Sequence, residues 1–287
     1  MAALIQGNQR VGQACARAVF ALHLLTETGS IMREWVLSEA NHAFVRSKKW
    51  EVVVLPCGAT EEHNLHLPYG TDNLQVQTIA ERACEIAYKK GAAVMCLPTI
   101  PYGVNTNHLK VPGALACSVN PATLYAVIAD VVDSMERQGI RKMLLLNGHG
   151  GNELKPVLRT LHHQSEVFLC MCDFWRIPVE REKRIFTDMG DHGGEMETSM
   201  GLALFPQFVK LEQADPGVIN PTRLAAINEG WVGITRPWHL ATANAGMGNP
   251  FPATAEKGRV FVEAITTRLG EFLAELAAAP MNERFPY

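Results

Sequence analysis

Four short, uninterrupted apolar runs, Val52 to Leu55, Ala93 to Leu97, Met143 to Leu146 and Val167 to Met171, most narrow what this chain can fold into. Each is the length of a strand and is bounded by Gly, Pro or Asn, so each reads as a strand covered on both faces. Between them, apolar residues recur at helical spacing over Asn73 to Lys90, Pro121 to Gln138 and Glu153 to Gln164, the first two followed by Gly91 and Gly139. Strand and helix alternating in this way predict right-handed crossovers and a parallel sheet with helices on both sides, an α/β fold. A last helix is predicted over Ala255 to Ala278, capped by Thr254, with Phe261, Ile265, Leu269 and Leu276 on one stripe. Gly217 to Pro252, rich in Gly, Pro and Asn, reads as a long irregular connection of the kind that lines a site.

Charge and composition exclude several partners. The 287 residues carry 26 Lys plus Arg against 29 Asp plus Glu, a net charge of −3. The densest clusters, Arg46 to Glu51 and Glu180 to Arg184, are short or mix signs, so no nucleic-acid face is expected. No apolar run approaches the ~18 residues that cross a bilayer, so no membrane partner is expected either. Ala18 to Leu25 follows Arg10 and Arg17, but His23 interrupts it and no small-residue cleavage site follows. Met32 opens a stretch (MREWVLSEA) that reads as a domain start. Residues 1–31 are therefore expected to be an extension without catalytic residues, and 32–287 one domain. The seven cysteines are odd in number and lack CxxC spacing, which argues against a disulfide framework and for a cytoplasmic protein with buried thiols.

Three clusters carry candidate chemistry. The first, PCGATEEHNLHLPYGTD from Pro56 to Asp72, follows the first strand, where ligands of open α/β sheets gather. Glu61 and His63, two residues apart in an extended segment, project to one side and together suit zinc, manganese or iron. Asp72 enters the next helix, where it could bridge two ions. Taken alone, the segment also reads as a solvated polar loop, with Asp72 favoured at a helix start by the dipole. The second cluster, LLLNGHGGN, places His149 at a strand end among glycines that let backbone approach a ligand. It lacks the lysine of a phosphate loop, and Glu153 breaks a GxGxxG pattern. The third, DHGGEMETS from Asp191 to Ser199, leads into an apolar helix. Glu195 there reads as structural, while His192 and Glu197 are candidates for the site.

These segments, together with ATAEKG from Ala253, resemble the creatininase (creatinine amidohydrolase) family. Its members show GSTEQHGPHLPLGTD-like, NGHGGN, HAGxxETS and ATAEKG-like stretches in this order, matching from about Met32 to the C-terminus. The resemblance implies a three-layer α/β sandwich, mostly parallel, around a centre of two divalent ions (Zn2+, Mn2+ or Fe2+). It assigns Glu61 and His149 to one ion, His63 to the other, Asp72 to both, and the catalytic proton transfer to His192. It also implies a homo-oligomer, a hexamer by analogy. Two departures stand out. Creatininase has a glutamate two residues after the NGH histidine, where this chain has Gly151, leaving Glu197 as the candidate replacement. The tryptophan that creatininase carries shortly before the HAG histidine has no counterpart in FTDMGDH, which argues against creatinine itself as substrate.

The expected activity is hydrolysis of a C–N bond in a small cyclic amide, formamide or related amide by metal-activated water. The alternatives are peptide trimming or deformylation in cofactor biosynthesis, and a metabolite-binding protein with a degraded metal site. His108 and Asn249 are expected to touch substrate, and His66 either orients a ligand or is structural. His162 and His163 read as surface or packing residues, and Cys57, without a paired base, as packing.

Overall fold

The computed structural model describes residues 32–179 and 185–287. The expectation for residues 1–31, Cys15 and the charges at 180–184 lie outside them. The sheet forms from the four apolar runs: β1 (Val52–Cys57), β2 (Val94–Cys96), β3 (Lys142–Asn147) and β4 (Phe168–Asp173). Their order is β2-β1-β3-β4, and all pairs are parallel, with Val53 opposite Met95 on one side and Met143 on the other. The long helices are α1 (Thr71–Lys89), α2 (Pro121–Arg137), α3 (Lys155–Leu161), α4 (Glu195–Leu204) and α5 (Ala255–Ala278). α5 has the bounds that its apolar stripe predicted, and Thr254 caps it by accepting from Lys257 N. α3 is shorter than predicted, with Pro156 in its first turn and Leu161 as its last residue.

Side chains alternate across β1, which divides the core into two layers. Val52 and Val54 pack with Ile79, Ala83, Met200, Phe261 and Ile265, from α1, α4 and α5. Val53 and Leu55 pack with Leu124, Ile128, Val157 and Leu161, from α2 and α3. The chain thus forms a three-layer α/β sandwich with a parallel central sheet. Two devices tie the sheet to neighbouring segments. Buried Lys142 donates from Nζ to the carbonyls of Leu276, Ala277 and Ala279 at the end of α5. Val36 bridges to Cys96 beside β2.

The strand order places the site. From β1 the chain crosses by α1 to β2 on one side, then returns by α2 to β3 on the other. The carboxyl ends of β1 and β3 therefore flank a switch point, where the two flanking connections leave on opposite faces and open a crevice. Thr60 to His63 follow β1, and Gly148 and His149 follow β3.

Candidate metal centre

Six of the candidate residues from the sequence converge beyond this switch point. Glu61 follows β1, Asp72 lies in the first turn of α1 and His149 follows β3. Asp72 is held at that turn by Thr71, whose hydroxyl donates to Pro68 O. His149 Nδ1 stands 3.0 Å from Glu61 Oε1 and 3.1 Å from Asp72 Oδ2. The other oxygen of Asp72, Oδ1, lies 2.9 Å from His63 Nε2, so its carboxylate reaches both histidines. Glu197, in the first turn of α4, brings Oε1 to 3.8 Å from His63 Nε2. His192 stacks on His63 with ring centroids 4.0 Å apart, and its Nδ1 is 3.8 Å from Glu61 Oε1.

Among the described residues, potential ligand atoms fall into three overlapping groups: Glu61, Asp72 and His149; His63, His192 and Glu197; and Glu61, His108 and His192. The donors fit transition-metal ions. They are imidazole nitrogens and carboxylate oxygens, the set that zinc, manganese and iron share. Both oxygens of Glu61 and Asp72 Oδ2 are buried without a well-aligned hydrogen bond, an arrangement that costs free energy unless a cation satisfies it.

The imidazoles are oriented by the atoms not turned to this centre. His149 Nε2 lies 3.2 Å from Val104 O, His63 Nδ1 lies 3.2 Å from Glu61 O, and His192 Nε2 lies 2.7 Å from Glu62 O. Such backbone carbonyls select the tautomer and leave the opposite nitrogen for a ligand or a proton. The electrostatics follow. Burial would raise the Glu61 carboxyl, but His149 beside it holds it down to about 2. Burial works against charge on His63, yet Asp72 and Glu197 raise it to about 10. Burial and the neighbouring His63 push His192 down to about 3, while burial raises the Glu197 carboxyl to about 7.

The remaining candidates divide. His108 lines the cleft and also reaches the carboxylates, with Nε2 3.1 Å from Glu61 Oε2 and Nδ1 3.0 Å from Glu62 Oε1. Asn249 does not line the cleft: it is exposed, and its Oδ1 accepts from Phe251 N in a local turn. The expectation of substrate contact there overread an Asn whose short side chain serves its own loop. His66 Nε2 pairs with the Thr198 hydroxyl at 2.8 Å, next to Glu197. His162 and His163 are exposed. Cys57 is buried, its thiol pushed up to about 12, as a packing residue. Glu195 accepts from Thr187 N and Asp188 N and pairs with Lys257, fastening the loop before His192 to α5.

Gly151 has a steric reason. A Cβ there would lie 2.3 Å from Val104 O and 2.4 Å from His149 Nε2, so no side chain fits without moving a backbone carbonyl or the histidine. The carboxylate that does approach His63 from another element is Glu197. Sequence reasoning missed Glu62, which meets His108, and two indoles that line the cleft, Trp175 and Trp238. Trp175 follows the carboxyl end of β4, the same signal that marked the other clusters. Trp238 lies in the irregular stretch after Gly217, where spacing has no meaning. The cleft over the centre holds about 810 Å³. No helix among the described residues is long and apolar enough to cross a membrane.

The sequence model of the creatininase family, creatinine amidohydrolase, matches residues 38–273. Three relatives of assigned activity span most of the chain. A 3-dehydro-scyllo-inosose hydrolase of Thermotoga maritima is 26% identical over 84% of this chain and 81% of its own. Creatinine amidohydrolase of Pseudomonas putida is 28% identical over 78% and 89%, and a mycofactocin precursor peptide peptidase of Mycolicibacterium smegmatis 26% identical over 75% and 81%. A Bacteroides fragilis structure provisionally described as a creatinine amidohydrolase superposes with a TM-score of 0.81 and 36% identity, covering 88% of this chain and 99% of that one. A manganese form of creatininase shares the fold, with a TM-score of 0.67 and 21% identity over 85% and 99%.

Proposed function

Because this chain belongs to the creatininase family, whose members are hydrolases, we propose that it is a metal-dependent amidohydrolase that cleaves a C–N bond of a small cyclic amide, formamide or related amide. The observation that carries this reading is Asp72, buried with one oxygen toward His63 and the other toward His149. A single carboxylate so placed can serve two ions at once. Glu61 and His149 would hold one ion, His63 and Glu197 the other. Two ions held there would lower the pKa of water toward ~7 and polarise a carbonyl.

The protein's own groups do the rest. His192 is held neutral by its burial and by His63, so Nδ1 is an acceptor when substrate arrives. Its Nε2–H is committed to Glu62 O, which fixes Nδ1 as the atom that takes a proton from the attacking water and returns it to the leaving nitrogen. Trp175 and Trp238 line the cleft and offer apolar surface to a bound amide. A second reading, trimming of a peptide end, is supported by the cleft of about 810 Å³, which has room for more than a small ring, and by the similarity to the mycobacterial peptidase.

The test is elemental analysis of protein purified without chelator, followed by a screen of lactams, formamides and short peptides. Close to two transition-metal ions per chain is the expected result, and a folded protein without metal would overturn the hydrolase in favour of a metabolite-binding role.

A further inference from the structure

His63 and His192 come from distant parts of the chain, yet their rings stack 4.0 Å apart at an interplanar angle of 27°. The backbones of His192 and of Asn64, the residue after His63, are hydrogen-bonded to the same short stretch, residues 244–248. Asn64 N donates to Ala245 O at 3.2 Å. His192 and Met247 exchange two hydrogen bonds, His192 N to Met247 O at 2.9 Å and Met247 N to His192 O at 2.7 Å. The two residues joined by the first of these bonds, Asn64 at φ 55° and Ala245 at φ 51°, are the non-glycine residues with left-handed backbone among those described. Such conformations persist where the surroundings over-determine them, and they cluster at functional sites.

A side-chain clasp supplies that determination. Asn64 Oδ1 accepts from Leu65 N at 2.7 Å and from Asp215 N at 3.2 Å, while Nδ2 donates to Asp215 O at 3.0 Å. The Asp215 carboxylate accepts from Gly217 N at 2.7 Å and from the Asn244 amide. Gly246 lies flat against this clasp, since a Cβ there would come within 2.7 Å of Asn64 Nδ2. In the family pattern that this loop resembles, a glycine follows the histidine. Here Asn64 keeps the left-handed backbone and adds an amide that reaches Asp215.

We propose that residues 244–248, clasped to Asn64 through Asp215, are a brace that fixes where His63 stands against His192, and that by holding His63 in place it sets the affinity of the second ion position. Asn64 and Asp215 are positioning residues: neither touches the candidate ligand atoms, and both act through the backbone that carries them. The inference rests on the two-ion reading above, and its test separates the two.

The informative variant is Asn64→Gly, because glycine accepts the φ 55° backbone and only the amide is lost. Zinc affinities of both positions are measured by competition with a chromophoric chelator for wild type, Asn64→Gly, Asp215→Ala and the double variant, beside their melting temperatures. The expected result is a second ion bound at least about tenfold more weakly in each single variant, a first ion within about twofold of wild type, and a double variant no worse than the weaker single. Equal weakening of both ions in step with melting temperature would show a merely structural role and overturn the brace. Wild type binding fewer than two ions would refute the two-ion reading instead. A crystal structure of Asn64→Gly decides the brace whatever the ion count. Rings drawn apart from 4.0 Å support it, and rings unchanged in place overturn it. If that variant does not fold, the same measurement is made on Asp215→Ala.

Discussion

The two halves of the candidate centre are built differently. Glu61, Asp72 and His149 stand beside the sheet's switch point and in the first turn of a 19-residue helix, fully buried, with contacts of 3.0 and 3.1 Å to one imidazole nitrogen. His63, His192 and Glu197 are carried by a turn, a loop and the start of α4. The nearest carboxylate oxygen of Glu197 stands 3.8 Å from His63, and its side chain is 12% exposed. The first half inherits its geometry from the core, where packing leaves little freedom. The second depends on hydrogen bonds between loops. It is expected to be the weaker ion position.

The comparison can be broken at its joint. Asp72 serves both halves, so Asp72→Ala is expected to lower ion affinity at both positions by more than about 100-fold, leaving metal content near zero by elemental analysis. Retention of either ion by that variant would show that the halves are independent. Next in size, His192→Ala should keep both ions and lose roughly 10²–10⁴-fold in turnover of any substrate found, as expected for a group that moves a proton. A variant short of one ion would instead make His192 a ligand. A smaller, selective effect sharpens the contrast: His149→Ala should weaken the first ion and Glu197→Gln the second, each by about 10–100-fold with the other ion little changed. Equal losses in both variants would mean a single shared site.

The smallest effect is in pH. An ion requires the carboxylate ionised, and Glu61 is held down to about 2 while burial raises Glu197 to about 7. Below pH 7 protons therefore compete at Glu197 but not at Glu61. His63 and His149 are each held protonated by the carboxylates beside them, so protons compete at one histidine in each half. The second ion should be released first as pH falls from 7 toward 5, seen as zinc release in a chelator titration. Release of both ions together would contradict the assignment.

Much of the fold was legible because its cause is local. β1 and β3 are covered on both faces, so their sequences are continuously apolar, and α5 has a cap and a stripe that mark both its ends. The gathering of Glu61, His63, Asp72, His149, His192 and Glu197 was legible because each lies in a segment that follows a strand or leads into a helix. Where the signal was not local, reading failed. Asn249 looked like a pocket residue and is a turn residue, because nothing in a Gly- and Pro-rich stretch says which side faces the cleft. Trp238, Glu62 and the pairing of His108 with Glu62 escaped for the same reason: their neighbours come from segments far away in the chain.

By itself, then, the sequence determined the layers, the order of strands and helices, the family, and the residue types gathered at the strand ends, since periodicity and motif spacing are properties of contiguous chain. Only the tertiary structure decided how those residues divide into two unequal halves, why position 151 must be glycine, and which nitrogen of His192 faces the centre. Each of these is a distance between segments, set by close packing and hydrogen bonds that no run of neighbouring residues encodes.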